Sequence, residues 1–169
     1  MPVLYYKESK IPGLKLIVPD VFEDYRGSYT ETYDSEKWKD IIGDIVFVAD
    51  GVSTSRKNVL RGIHGDDVTI KLVTAMYGAY YSVIVDNRPD SPTYKQWDSF
   101  ILSAANKHQL LIPAGCGNSV LALEEFNVYH YKQSAHYTGS QFTLKWDDPT
   151  LNILWPISNP IVSKRDQLL

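Results

Sequence analysis

The chain has 169 residues, of which 44% are hydrophobic and 22% charged, a composition of folded rather than disordered chains and a length for one domain, residues 1–169. Lys and Arg number 17 against 20 Asp and Glu, a formal charge of -3. This lacks the basic excess of a general nucleic-acid binder but leaves room for a local cationic pocket. The single cysteine, Cys116, excludes an intramolecular disulfide and a cysteine-built zinc site.

No run approaches the ~18 apolar residues of a membrane span. The N-terminal stretch also lacks the basic and apolar regions of a secretory signal. The expectation is a cytoplasmic protein with neither a membrane nor a nucleic-acid partner. In chain order, Asp24–Tyr29 (DYRGSY) reads as a turn around Arg26 and Gly27. Asp34–Ile42 (DSEKWKDII) reads as a helix, capped by Asp34 or Ser35, with Trp38, Ile41 and Ile42 on one face and Gly43 as its stop.

The other apolar segments are short and rich in Val, Ile, Tyr and Thr. They include Ile45–Val48, Lys71–Met76, Tyr80–Val85, Gln109–Ile112, Ser119–Leu123 and Asn127–Lys132. Their length, composition and bounding turn residues predict strands. Lys71–Val85 reads as a hairpin with Gly78 in its turn. Pro89 and Pro92 end the strand that follows, and Pro113, Gly115 and Gly117 mark a tight corner. One short helix among many strands predicts an all-β sandwich or barrel. No strand–GxGxxG–helix unit supports a doubly wound nucleotide fold.

Four histidines are available for chemistry: His64, His108, His130 and His136. His64, in VLRGIHGDD, lies between Arg and Asp and suits a general base, although local sequence favours a hydrogen-bonded structural histidine. Strand alternation puts Arg61 and His64 on opposite faces unless a bulge or turn at Gly62 brings them together. No H-x-H run is present, and His108 and His136 lie among polar residues, so a metal site is disfavoured. Tyr129 and Tyr131 share one face and His130 takes the other; a tyrosine in such a chain packs by default with its hydroxyl wet. Lys71 interrupts an apolar strand, where a buried ammonium is costly. It therefore faces either solvent or a ligand pocket. The Ser163–Asp166 stretch (SKRD) reads as a polar tail.

Seven segments, in order, resemble the dTDP-4-dehydrorhamnose 3,5-epimerase family of nucleotide-sugar epimerases, metal-free relatives of the cupins. They are Asp24–Tyr33, Val59–Asp66, Lys71–Tyr94, Leu102–Gly115, Tyr131–Tyr137, Trp146–Pro156 and SKRD. The resemblance implies a cupin-like jelly roll, a homodimer formed partly by strand exchange, and a nucleotide-diphosphate sugar as ligand, with no cofactor. By the same resemblance His64 matches the catalytic base, Asp166 the carboxylate that orients it, Tyr131 the acid on the opposite face of the sugar, and Lys71 the cation near the ketone oxygen. Arg26, Glu31 and Arg61 match positions contacting diphosphate, sugar or nucleotide. Tyr137 matches an aromatic stacking near the base, and Lys164 a further pocket cation. The implied reaction inverts C3, alone or together with C5, of a 4-keto-6-deoxy sugar in bacterial surface-polysaccharide synthesis.

Three features depart from the family pattern. Asn118, in GCGNS, stands where the family carries a second histidine. Gly-Asp-Asp follows His64 in place of an aromatic and Gln, and the loop to Lys71 is short. Ala49 and Gly51 replace a Gln and an Asn. The His-Gly-Asp and Gly-Asn-Ser variants resemble a subgroup acting on GDP-4-keto-6-deoxy-heptoses, and GDP, CDP and dTDP stay open as the nucleotide. A sugar 3,4-ketoisomerase and a non-catalytic nucleotide-sugar binder are the alternatives.

Overall fold

The computed structural model describes residues 4–167. Short Val-, Leu- and Tyr-rich runs separated by Pro and Gly have nowhere to bury two faces except between packed layers, and they form strands. In chain order these are β1 (Tyr5–Glu8), β2 (Lys15–Val18), β3 (Phe22–Asp24), β4 (Gly27–Tyr29), α1 (Lys39–Ile42), β5 (Ala49–Arg56), β6 (Leu60–Gly65), β7 (Lys71–Tyr77), β8 (Ala79–Asp86), β9 (Trp97–Ser103), β10 (Gln109–Ile112), β11 (Cys116–Ala122), β12 (Phe126–Gln133), β13 (Phe142–Leu144) and α2 (Lys164–Gln167). One sheet runs β1-β2-β10-β7-β12-β5 and the other β13-β6-β11-β8-β9; β3 and β4 pair only with each other. Neighbouring strands pair antiparallel throughout. The all-β jelly-roll expectation holds.

Strand alternation sorts the apolar residues into three layers. Val73, Ala75, Tyr80, Ile84, Leu110, Ile112, Val120 and Tyr129 meet between the two sheets. Their sequence neighbours Leu72 and Leu111 turn outward under Trp38, Ile41 and Ile42. On the other side Val83, Val85 and Ile63 lie under Leu151, Ile153 and Trp155. The central strands are thus covered on both faces, which is why they read as continuous apolar runs rather than alternating ones.

The predicted hairpin at Lys71–Val85 does not form. β7 pairs with β10 and β12, whereas β8 pairs with β11 and β9, so the chain crosses between sheets at Gly78. Gly78 has φ +70°, and a Cβ there would lie 2.6 Å from the Phe126 carbonyl oxygen. The Asn127 side chain accepts the Ala79 N–H at 3.1 Å and seals the corner. The predicted helix also contracts. Asp34 does accept the Glu36 and Lys37 N–H groups at 2.9 and 3.0 Å, but it closes a turn ahead of the helix rather than capping it: only Lys39–Ile42 is α-helical, and its N-cap, Trp38, has no side-chain cap. Trp38, buried in the outer layer, sits at φ -93°, ψ 1°, outside helical geometry. Ile45–Val48 is not a strand either: it lies beyond the end of β12, and only Val48 reaches it, through Gln133 O at 2.8 Å. Ile45 and Phe47 still pack into the outer layer, which explains their apolar alternation.

Candidate active site

The two sheets part at one end around a cavity of about 420 Å³ lined by Arg61, His64, Lys71, Asn118, Tyr131 and Tyr137. Lys71 occupies the first position of β7, on the inward face shared with Val73 and Ala75. Of its two possible orientations, the fold takes the pocket. Burial brings the Lys71 ammonium below its ordinary pKa, and the nearby Asp66 carboxylate pulls in the opposite direction.

Arg61 and His64 both reach this cavity because β6 carries a bulge. Asn118 of β11 pairs with His64 while Val120 pairs with Arg61, so three steps along β6 match two along β11. The extra residue reverses the parity that simple alternation predicts. The guanidinium of Arg61 is fixed at the rim by Ser55 Oγ at 3.0 Å and Thr54 O at 2.8 Å.

His64 Nε2 lies 2.7 Å from Asp166 Oδ1, a contact across 102 residues of sequence. The polar tail read from SKRD is therefore only part of the picture: Ser163, Lys164 and Arg165 are exposed as expected, but Asp166 is turned inward and is 4% exposed. The C-terminal stretch reaches β6 through a parallel bridge between Val59 and Ile161. Arg165 donates to Thr143 Oγ1, tying α2 to β13. Burial pushes the Asp166 carboxyl up, but hydrogen bonds from Ser163, His64 and the Gly62 backbone outweigh it and hold the carboxyl below its ordinary value. An ionised carboxylate only accepts, so Nε2 of His64 is the donor in this contact.

The ring of Tyr131 lies over Gly51, its partner in β5; a Cβ at position 51 would fall 2.5 Å from the phenolic oxygen and closer still to the ring. The loss of a side chain at Gly51 is thus what lets the tyrosine lie flat against the sheet. Asn118 Nδ2 donates to the Tyr129 hydroxyl at 3.3 Å. Burial pushes that phenol upward, with the Asn118 hydrogen bond acting against it.

Three sequence-derived site residues stand apart from this cavity. Arg26, at the β3–β4 turn, is exposed and paired with Asp24 at 2.6 Å. Glu31 pairs with Lys37 at 2.8 Å. Lys164 is exposed on α2, although its neighbour Asp166 is buried. Conversely, Ser53, Gln133 and Gln141 line the cavity without having been singled out. Gln133 follows Tyr131 by two residues on the same strand, so alternation alone could have found it. Nothing in the local sequence marks Gln141. Among the described residues, no group of three or more His, Cys, Asp or Glu side chains comes together in metal-ligand fashion.

A histidine held by a buried carboxylate, with a lysine and tyrosines in the same jelly-roll cavity, is an arrangement suited to general acid–base chemistry. The family profile described as dTDP-4-dehydrorhamnose 3,5-epimerase matches residues 8–169. The dTDP-4-dehydrorhamnose 3,5-epimerase of Salmonella typhimurium is 38% identical over 165 residues, covering 94% of this chain and 90% of the relative. The crystal structure of the Bacillus anthracis dTDP-4-dehydrorhamnose 3,5-epimerase with TDP and PPi bound superposes with TM-score 0.94 at 37% identity, covering 99% of this chain and 98% of that one. The Legionella pneumophila dTDP-6-deoxy-D-glucose-3,5-epimerase, in complex with dTDP-4-keto-L-rhamnose, gives TM-score 0.93 at 33% identity, covering 98% and 91%. The chain belongs to the dTDP-4-dehydrorhamnose 3,5-epimerase family and is an isomerase. Among its described residues, no helix is long and apolar enough to cross a membrane.

Proposed function

We propose that the protein, as one catalytic domain, inverts C3, alone or together with C5, of a nucleotide-diphosphate 4-keto-6-deoxy sugar. The observation that carries this reading is the His64–Asp166 contact opening onto a cavity that also holds Lys71 and Tyr131. The C–H bonds at C3 and C5 are acidic because removing either proton puts charge on the 4-keto oxygen. His64, with Asp166 fixing its tautomer, takes the proton on Nδ1. Lys71 stabilises the enolate oxygen by charge, and its lowered pKa also suits it to share a proton there. Tyr131 returns a proton from the other face of the ring, which inverts the centre. Arg61 is the cation placed for the diphosphate, and Asn118 and Tyr137 line the space for the sugar and the base.

The same reading includes a homodimer. All six residues of β3 and β4 are exposed, and an isolated two-stranded hairpin is marginal in water. Phe22 and Tyr29 present apolar rings on it, 53% and 62% exposed. Packing this hairpin on a second copy covers those rings and carries Arg26 and Glu31 toward the other subunit's cavity. Lys164 remains a candidate cation at the nucleotide end. We place the enzyme in the cytoplasm, and cell fractionation checks this.

The test is deuterium incorporation in D₂O with GDP-, CDP- and dTDP-4-keto-6-deoxy sugars, read by NMR at C3 and C5. Exchange at C3 alone marks a single epimerase, and exchange at both carbons a double one. His64→Asn is expected to abolish exchange at every centre, and Tyr131→Phe to slow inversion more than proton loss. Unchanged turnover in His64→Asn would remove His64 as the base.

A further inference from the structure

A carboxylate has two oxygens, and the chemistry above uses one of them. Asp166 Oδ1 meets His64. Oδ2 accepts the Ser163 hydroxyl at 2.6 Å. The same Ser163 oxygen accepts the backbone N–H of Asp166 at 3.2 Å, and Ser163 O accepts it at 3.1 Å. Ser163 therefore grips both the main chain and the side chain of Asp166. This matters because α2 spans four residues, too few to hold a side chain by its own helical bonding. Without a second donor, rotation of the carboxylate about its Cβ–Cγ bond would swing Oδ1 out of line with the imidazole.

We propose that Ser163 is a positioning residue for the dyad: its hydroxyl locks the Asp166 carboxylate so that Oδ1 stays on His64 Nε2, leaving Nδ1 as the nitrogen that takes the proton. The proposal rests on the reading of His64 as the base, and it adds a third member to the pair. Ser163 is exposed at the surface and is not among the residues lining the cavity of His64, Lys71 and Tyr131, so it acts through Asp166. The pairing Ser163–Asp166–His64 thus runs from the surface to the cavity along one hydrogen-bonded line, with each group orienting the next.

The competing role is simple helix capping, and two substitutions separate it. Ser163→Gly keeps an acceptable N-cap but removes the hydroxyl. Ser163→Thr keeps both. Protein carrying ¹⁵N-labelled histidine, taken up in pH until its imidazole signals stop moving, reports which ring nitrogen of His64 is protonated, with no substrate present. His64→Asn assigns the signal. Wild-type protein and Ser163→Thr are expected to show His64 protonated on Nε2, and Ser163→Gly a mixture of the two tautomers. In turnover, Ser163→Gly is expected to lose about tenfold in kcat, the scale of one hydrogen bond to a charged group, with KM within about twofold. A wild-type tautomer and kcat in Ser163→Gly would overturn the proposal, as would a Ser163→Thr variant as impaired as the glycine. If no nucleotide sugar is turned over at all, the epimerase reading fails while the tautomer measurement still decides the role of Ser163.

Discussion

A methyl group at position 62 would lie 2.6 Å from His64 Nε2 and closer still to Asp166 Oδ1. Gly62 is thus the floor on which the dyad closes. Its φ is not in the left-handed region, so alanine fits the backbone and the conflict is confined to the two side chains. Gly62→Ala is expected to push them apart and cut the rate of C3 washout about a hundredfold, the cost of a misplacement near 1 Å. The circular dichroism spectrum should stay native. Washout at the wild-type rate would mean that the close approach of His64 to Asp166 is dispensable. None of this was legible in the local sequence. Gly62 invited a bulge, which formed, but the reach of Asp166 to His64 spans 102 residues and no spacing rule connects them. Only the resemblance to a family paired the two, and it was silent on Ser163.

Strands announce themselves by composition, whereas their partners do not. Gln109–Ile112 matches β10 residue for residue, and Lys71–Met76 and Tyr80–Val85 fall inside β7 and β8. Their pairing as a hairpin failed because a glycine between two apolar runs marks a reversal without saying which sheet receives the second strand. Strand β5, ADGVSTSR, is polar, with its even positions largely outward at the sheet edge, and composition did not mark it. The loop after β8 depends on one carboxylate. Asp86 is fully buried and accepts from Arg88 Nε at 2.8 Å, Ser91 Oγ at 2.5 Å and Thr93 Oγ1 at 2.6 Å. Burial alone would raise its pKa, but these donors overcome it and hold the carboxyl far below the ordinary range. A depressed folded-state pKa contributes stability that is present above the unfolded value near 3.8 and is lost as pH falls through the folded value. Asp86→Ala strips Arg88 of its partner and is expected to cost about 3 kcal/mol in urea unfolding at neutral pH. The difference from wild type should shrink as the solution is acidified. A gap that stays constant into strong acid would show that the charge of Asp86 is not what holds the loop.

At the scale of the whole molecule, the fold divides the proposed site between what one chain holds and what it holds out. The cavity carries Arg61, His64 and Lys71, while Arg26 sits on a hairpin with no sheet of its own to join. A closed two-fold pair gives each subunit the same contacts, so a hairpin that enters the partner's cavity is answered by one entering its own. Each site then takes its base from one chain and Arg26 from the other. Subunit mixing tests that arrangement. His64→Asn homodimers lack the base in both sites, and Arg26→Ala homodimers lack the diphosphate contact in both. In a mixed dimer, crossing hairpins concentrate both defects in one site and leave the other wild type. Unfolding and refolding the two variants together in equal amounts is therefore expected to restore about a quarter of wild-type exchange activity, since half the dimers are mixed and each has one intact site. If each chain supplies its own Arg26, every mixed dimer carries one site without the base and one without the arginine. Mixing then yields no more than the average of the two parents.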